Sequence, residues 1–525
     1  MSAPSLSPRR PNILLVMSDQ HRADTYGFEG RKVHTPHLDL MAQQGTRFSA
    51  CITPNVVCMP ARCSVLTGLL PYTHGVVDNG IDLDENLGQQ GFAGSLARAG
   101  YRTHFVGKAH FSSNHSYANR PTGRCENIPS APMFGPEWGG PYMGFERVEL
   151  MQLGHNYWLP DAPPGGLHYE RWYHADGMGE MKDALYREHV GAAVSGGQTH
   201  SSALPTAWHN TTWVGDRTVE MLREQGRRER AGDDTPLCAW VSFADPHHPF
   251  DAPVPWSLLH RPEEVDLPPH RVRDLDRRPW WHRAALENTP GGTPETRKVR
   301  EEYSRMDPQS DEQLREVIAN YYGMISLIDH NVGRIQNALR EEGLADNTLI
   351  VFTSDHGEWL GDHGLMLKGP MLYEGVLRVG LLMQGLDVPA GRVVSDPVST
   401  LDLAATFGDY AGTTVSSASH SRSLRPLLNE QSGASRDAAL NEWRLGPSRC
   451  GVALDLRAVR THAAKLTLEI HSGAGELYDL ANDPHECENR FADPAYRGLR
   501  EELTDRIMAR PKDMVAAQNA PVGPA

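Results

Sequence analysis

The sequence predicts an α/β fold: a large mixed, mostly parallel β-sheet sandwiched by helices, followed by a smaller α+β C-terminal domain with a short antiparallel sheet. Three observations carry this reading. Short apolar runs recur along the chain, each as long as a buried strand. Helix-like stretches lie between them, and strands alternating with helices pair in parallel with helices on both faces. The texture changes after Leu427, where shorter alternating segments begin. At 525 residues the chain is long enough for more than one domain and a large core.

The first apolar run is NILLVM (12–17), which leads into Ser18, Asp19 and Gln20. THFVG (103–107) leads into Lys108 and His110. LCAWVSF (237–243) leads into Asp245, Pro246, His247 and His248. TLIVFTS (348–354) leads into Asp355, His356 and Gly357. In a parallel sheet ligands bind beyond the carboxyl ends of the strands, and the reactive residues gather at four such ends. Helices are expected over 36–45, with Thr35 as N-cap and Pro36 at N1, and over 91–99, 211–225 and 313–342. Two stretches break the pattern and read as insertions or long loops: 160–204, rich in Gly, His and aromatics, and 262–308, dense in Arg, Glu and Pro. Residues 1–429 form one expected domain and 430–525 a second. The second has antiparallel strands within 457–480, a Ser-Gly-Ala-Gly turn and a helix near 494–508.

A net charge of −15 argues against nucleic acid or an anionic membrane surface as partner. A small anionic substrate then needs a local basic site. No apolar run is long enough to cross a bilayer. The run at 13–17 is shorter than a signal-peptide core and no small-residue cleavage site follows, so a cytoplasmic location is expected. Seven cysteines without paired spacing point to reduced, mostly buried thiols. The N-x-[ST] triplets at Asn114 and Asn210 are chance matches in a protein that is not secreted.

The stretch CMPARCSVLTG (58–68) places a cysteine at the start of a helix. Pro60 fits the opening turn and Gly68 the C-terminal stop. Unpaired backbone N–H groups and the dipole favour an anion there, and Arg62 adds a planar cationic fork. The pattern suggests a nucleophile held beside an anionic group. Asp19, Gln20, Asp355 and His356 follow two strands far apart in the chain. Oxygen donors from separate strand ends suit a hard divalent cation, and the histidine admits manganese. Read separately, Asp19 can instead cap a turn and Asp355 a helix.

These stretches resemble the type I, formylglycine-dependent sulfatases of the alkaline-phosphatase-like superfamily. CMPARCSVLTG matches the signature C-x-P-x-R-x-x-x-L-T-G at every specified position. GYRTHFVGKAHF (100–111) resembles the second signature, SFADPHHPF the Pro-His-x-Pro segment, and FTSDHGEWLGDHGLMLKG (352–369) the late metal-and-lysine segment. GELYDLANDPHECEN is similar to the tail of many sulfatases, so the likeness spans nearly the whole chain in the family's order.

The resemblance implies that a separate maturation enzyme converts Cys58 to Cα-formylglycine, whose hydrate is the nucleophile. A thiol that took the sulfuryl group would be left as a thiosulfate with no easy exit. A geminal diol keeps a second hydroxyl whose deprotonation expels sulfate. By the same resemblance Asp19, Gln20, Asp355, His356 and an oxygen on residue 58 hold one divalent cation. Ca2+ is expected first, with Mn2+ or Mg2+ as alternatives. Arg62, Lys108 and Lys368 supply positive charge, His110 is the base, and His247 assists the departing oxygen. Asn79 is implied as a hydrogen-bonding residue of the pocket. Cys51 and Cys63 fall outside the motif and read as buried thiols, Asp362 and His363 as structural, and Glu358 as a local cap or pair.

Two departures bear on the subfamily. Asp19-Gln20 stands where many sulfatases have two aspartates, a pair shared with choline sulfatases and phosphonate monoester hydrolases. His356 stands where asparagine is frequent. Lys108 and His110 favour a true sulfatase over a phosphonate hydrolase. The expected reaction is hydrolysis of a small-molecule or sugar sulfate ester, or an N-sulfate. Alternatives are a phosphonate or phosphate mono- or diester hydrolase with the same nucleophile, and a non-catalytic binding protein on this scaffold. Specificity is expected in the two insertions and in Trp208, Trp280 and Trp281. A homo-oligomer is compatible with the sequence.

Overall fold

The structure is a computed structural model that describes residues 9–152, 166–430, 436–515 and 520–523. The N-terminal tail before residue 9 and residues 160–165 of the first insertion lie outside them. Nine strands build the large sheet: β1 (Asn12–Ser18), β2 (Thr46–Ile52), β3 (Arg102–Lys108), β4 (Arg147–Met151), β5 (Leu237–Ser242), β6 (Thr348–Ser354), β7 (Arg378–Gln384), β8 (Arg392–Val394) and β9 (Val398–Ser399). Their order is β4-β3-β5-β1-β6-β7-β2-β8, with β9 beside β2. All pairs are parallel except those that β7 makes with β6 and β2. The four strands expected from the apolar runs are β3, β5, β1 and β6, side by side at the centre. They read as continuous apolar runs because both of their faces are buried.

Strand alternation sends successive side chains to opposite faces. Ile13, Leu15 and Met17 join Phe105, Trp240 and Val351 in a core that includes the helices Cys58–Thr67, Phe92–Arg98 and Asp402–Ala411. Leu14 and Val16 join Val106, Val241 and Phe352 in a second core on the other face. That core rests on Pro36–Gln44, Asn210–Arg230 and Asp311–Glu341. Thr35 precedes Pro36 as expected, but its hydroxyl makes no cap bond. It donates to Asp39 Oδ1 at 3.0 Å, and Asp329 on the long helix accepts from the N–H groups of His37 and Leu38 instead.

A four-stranded antiparallel sheet follows, in the order β10 (Ala438–Leu445), β11 (Leu454–Thr461), β12 (Ala464–Glu469) and β13 (Gly475–Asp479). One face packs on Leu503 and Ile507 of the helix Arg497–Met508. The other, through Trp443, Leu456 and Tyr478, packs on Val56, Val57 and Tyr373 of the large unit. Residues 494–496 form a 3-10 turn ahead of that helix rather than its first turn.

Both insertions differ from the expected loops. The described part of 160–204 holds the helices His168–His174 and Gly179–Arg187, and 262–308 holds Trp280–Glu287 and Pro294–Glu302. Their apolar anchors are few and irregular, so the periodic signal is weak, and tertiary contacts decide. Trp281 is fully buried in the core under the small sheet and donates to the Pro370 carbonyl at 3.1 Å, which removes it from any substrate surface. Trp280 donates to Ser472 in the turn between β12 and β13, and Lys182 lies over the Trp208 ring.

Candidate active site

The registers of the central strands align the reactive residues. Ser18 of β1 pairs with Ser354 of β6, so Asp19 and Asp355 leave the sheet as neighbours. Asp355 N–H still donates to the Ser18 carbonyl, and Asp19 N–H donates to the Asp245 carbonyl at 3.0 Å. Gln20 turns the chain with φ +63 and donates its N–H to Asp355 Oδ1 at 3.1 Å. On β3, Gly107 has φ +104, and a Cβ there would collide with the Ser242 carbonyl of β5. Only glycine fits this close strand contact, and the next residue is Lys108.

Opposite these strand ends stands the helix Cys58–Thr67, all of whose residues are buried. Its first residue is Cys58. Val57 at the N-cap has no side-chain acceptor, and Asn79 Oδ1 takes the Met59 N–H at 3.0 Å in its place. Gly68 ends the helix in the left-handed region at φ 68, as the sequence predicts.

Asp19, Cys58, Asp355 and His356 bring one ligand atom each within 4.8 Å of one another, and all four are buried. Cys58 Sγ lies 3.5 Å from Asp19 Oδ1, 3.2 Å from His356 Nε2 and 3.3 Å from Lys368 Nζ. Lys368 also donates to Gln20 Oε1 at 2.8 Å and meets His356 Nε2 at 3.2 Å. Two carboxylates, an imidazole and the atom at position 58 form a donor set that fits one divalent cation. A lysine ammonium inserted among them shows that the same space draws positive charge.

Three basic side chains balance the carboxylates. Lys108 Nζ sits 2.6 Å from Asp19 Oδ2. Arg62, fully buried, reaches Asp355 Oδ2 at 2.8 Å, Asp19 Oδ2 at 3.2 Å, the Lys108 carbonyl at 2.7 Å and Ser242 Oγ at 2.8 Å. Burial opposes the charge on Asp19, but Lys108, His247, Arg62 and Lys368 hold its carboxyl well below the usual range. Burial and Asp19 push Asp355 up. Burial and Asp19 also oppose a thiolate at Cys58, yet Lys368, Lys108 and His356 outweigh them and bring it down to about 6.

His110 and His247 flank this cluster. Burial, Lys108 and Arg62 drive His110 well below its ordinary range, and burial, Lys368 and His248 do the same for His247. Both imidazoles are neutral near pH 7. His110 sits at φ +57, and its Nδ1 is buried without a partner among the described residues. His247 Nδ1 meets the His248 carbonyl at 2.5 Å, which leaves Nε2 as the lone-pair nitrogen of the neutral ring.

Sequence reasoning missed several supports. Glu126, wholly buried, accepts the N–H groups of His110, Phe111 and Ser112 and the Tyr142 hydroxyl at 2.7 Å. No motif surrounds it. His248 meets the Gln20 amide at 3.1 Å, and Glu358 accepts from that amide and from Leu360 and Leu367 N–H. Glu358 therefore does more than cap or pair locally: it also fixes Gln20, far away in the sequence. Asp362 pairs with Arg22, and His363 stacks on Tyr373.

A model of the sulfatase family matches residues 11–413, and a second, described as the C-terminal part of N-sulphoglucosamine sulphohydrolase, matches 361–513. The chain belongs to the sulfatase family. As a member it is a hydrolase of the sulfuric ester class with an alkaline-phosphatase-like fold. It is 28% identical to an arylsulfatase of Clostridium perfringens, over 93% of this chain and 92% of that protein. It is 26% identical to a choline-sulfatase of Rhizobium meliloti, over 92% of this chain and 83% of the relative. Among solved structures, a phosphonate monoester hydrolase of Agrobacterium radiobacter superposes with a TM-score of 0.72 at 26% identity, covering 95% of both chains. No helix among the described residues of this sulfatase-family chain is long and apolar enough to cross a membrane.

Proposed function

We propose that this chain is a metal-dependent sulfatase that hydrolyses a sulfate ester or an N-sulfate through Cys58, once matured to Cα-formylglycine, and releases inorganic sulfate. The observation that carries the reading is the seat of Cys58: a buried helix-start residue within 3.5 Å of Asp19, His356 and Lys368. Sγ stands in for the oxygen of the hydrated aldehyde, which supplies a nucleophilic hydroxyl and a second one for release. Asp19, Gln20, Asp355, His356 and that oxygen would hold the cation, Ca2+ first and Mn2+ or Mg2+ as alternatives. When bound, it supplies charge that acidifies the nucleophile and neutralises a sulfuryl oxygen.

The remaining work falls to this chain's own side chains. Lys108 and Lys368 offer ammonium groups to the sulfuryl oxygens. Arg62 has its donors committed to Asp19, Asp355, Lys108 and Ser242, so it orients the carboxylates rather than meeting substrate. His110, neutral and held by Glu126, accepts a proton from the second hydroxyl. An incoming sulfate raises the pKa of His247 through its negative charge, which suits His247 to donate to the leaving oxygen. Asn79 acts through the helix start. Lys368 also lines a cavity of about 280 Å3 bounded by Arg273, Arg305, Trp359 and Met371, a space for the leaving group of a small-molecule or sugar sulfate. The division near residue 430 is proposed with this reading: β10 reaches back to Thr53, Pro54 and Asn55, just ahead of the nucleophile.

A phosphonate or phosphate ester hydrolase is the second reading, favoured by the likeness to the Agrobacterium enzyme. Lys108 on Asp19 and the neighbouring His110 weigh against it. Protein made together with a formylglycine-generating enzyme tests both. The peptide containing Cys58 is expected to be lighter than encoded and to react with a carbonyl probe. Aryl sulfate is expected to turn over faster than aryl phosphonate, and Cys58→Ala to abolish turnover. A free, alkylatable Cys58 in fully active protein overturns the nucleophile; faster phosphonate hydrolysis overturns the substrate class.

A further inference from the structure

Behind the loop that carries His247 lies a second buried polar cluster. His209, Asp245 and Asp251 each place one ligand atom within 4.8 Å of the others, and all three are fully buried. Asp245 and Asp251 bracket the loop 246–250. His209 caps the helix Asn210–Arg230, with Nδ1 3.7 Å from Asp245 Oδ2. Thr211 Oγ1 donates to Asp245 Oδ2 at 2.5 Å, and the Tyr186 hydroxyl, from an insertion helix, donates to Asp251 Oδ2 at 2.7 Å.

These bonds do not satisfy the group. Among the described residues Asp245 Oδ1, Asp251 Oδ1 and His209 Nε2 are buried without a partner. Among the described residues neither carboxylate pairs with a lysine or an arginine. Two buried carboxyls repel and lose hydration, a cost that the bonds from Thr211, Asn210 and Tyr186 offset only in part. Burial accordingly pushes the Asp251 carboxyl up to about 7, and burial together with Asp251 pushes Asp245 up as well.

We propose that His209, Asp245 and Asp251 form a second divalent-cation site, distinct from the one at Cys58, that closes the base of the His247 loop. One imidazole and two carboxylates make a mixed nitrogen–oxygen set that suits Zn2+ or Mn2+ better than Ca2+. The cation joins both ends of the loop to the start of the helix Asn210–Arg230, and through Asp251 to Tyr186 of the insertion. Its donors are separate from Asp19, Asp355 and His356, although Asp19 N–H bonds the Asp245 carbonyl.

Metal analysis of purified full-length protein equilibrated with Mn2+ or Zn2+ and desalted is the test. Wild type is expected to retain two equivalents per chain. Asp19→Asn is expected to lose one, and Asp251→Asn and His209→Gln the other, with folding checked by circular dichroism. Should those variants fail to fold, wild-type crystals grown with MnCl2 give the same answer through an anomalous peak among the three side chains. Bound metal that Asp19→Asn removes entirely, an unchanged metal content in a folded Asp251→Asn, or no anomalous peak there overturns the site. Failure of the sulfatase reading is separate, because it appears in turnover and in the Cys58 peptide, not in this second equivalent.

Discussion

Two buried clusters lie beyond the carboxyl edge of the same sheet, one after β1 and β6 and the other after β5, and they differ in the counter-charge the protein gives them. At Cys58, Asp19 and Asp355 face Lys108, Arg62 and Lys368, and Asp19 stays ionised despite complete burial. At His209, Asp245 and Asp251 meet hydroxyls, an amide and a neutral imidazole, and both carboxyls shift upward. The first site carries its own counter-charge and is held in shape by it. The second lacks counter-charge from the protein, and a cation would supply it. Burial alone therefore does not mark a metal site; the balance of fixed charge around it does.

The largest expected effect comes from breaking that balance where it exists. Arg62→Ala strips both Asp19 and Asp355 of a buried partner and takes a donor from the Lys108 carbonyl and Ser242 Oγ as well. Removal of one side of such a network costs about 3–5 kcal/mol. Urea denaturation should show that loss in midpoint at unchanged slope, with aryl sulfate turnover falling alongside. A variant of wild-type stability would mean that the carboxylates do not depend on Arg62, and the contrast between the clusters would fall.

Asp329 provides a reference for an uncompensated carboxyl away from both sites. It is 1% exposed, its two oxygens accept backbone N–H groups of His37 and Leu38, and burial raises it to about 7. The folded state then keeps the proton up to about pH 7, whereas the unfolded chain releases it near 3.8. Between those values the folded state binds more protons, so this group's contribution to stability is present at low pH and is lost as pH rises through about 7. Asp329→Asn fixes the neutral form. Its stability relative to wild type should rise between pH 5 and pH 8 by on the order of a few kcal/mol. Paired urea curves at the two pH values measure this; a pH-independent difference would show that Asp329 is ionised in spite of its burial.

The central strands and the Cys58 helix were legible in the sequence because their signals are local. Runs such as NILLVM are apolar throughout since both faces are covered, and Pro60 and Gly68 punctuate the helix. β2 and β10 were not legible. TRFSACI and AALNEWRL mix Arg, Ser, Asn and Glu into strands that lie partly exposed or against another unit. The second cluster was illegible for a different reason: only the packing of the helix Asn210–Arg230 beside β5 brings His209 to Asp245. Glu126 is similar, a lone acid in TGRCENIP whose role exists only through the N–H groups folded around it. Glu126→Gln replaces one acceptor oxygen with a donor and loosens residues 110–112. The expected result is a roughly tenfold fall in kcat, with KM little changed and the acid limb of the pH profile, where the base is protonated, displaced. A parallel loss in folding alone, with an unaltered pH profile, would assign Glu126 to stability and not to the placement of His110.

The smallest effect tests how the Cys58 cluster is held from the helix side. Val57 cannot cap the helix Cys58–Thr67, and Asn79, from a separate loop, accepts the Met59 N–H at 3.0 Å. A side-chain cap of this kind is worth about 1 kcal/mol. Asn79→Ala leaves the N–H unmet in a buried setting, whereas Asn79→Asp keeps an acceptor and adds negative charge at the helix start, which the dipole favours. Thermal unfolding should therefore rank wild type and Asn79→Asp above Asn79→Ala. Turnover should rank differently, because a carboxylate beside Cys58 opposes an anionic substrate: Asn79→Asp should raise KM while Asn79→Ala leaves it nearer wild type. If both variants lose stability equally and KM does not separate them, Asn79 is not the cap, and the start of the helix is held by Asn55, which accepts the Val57 N–H at 2.9 Å.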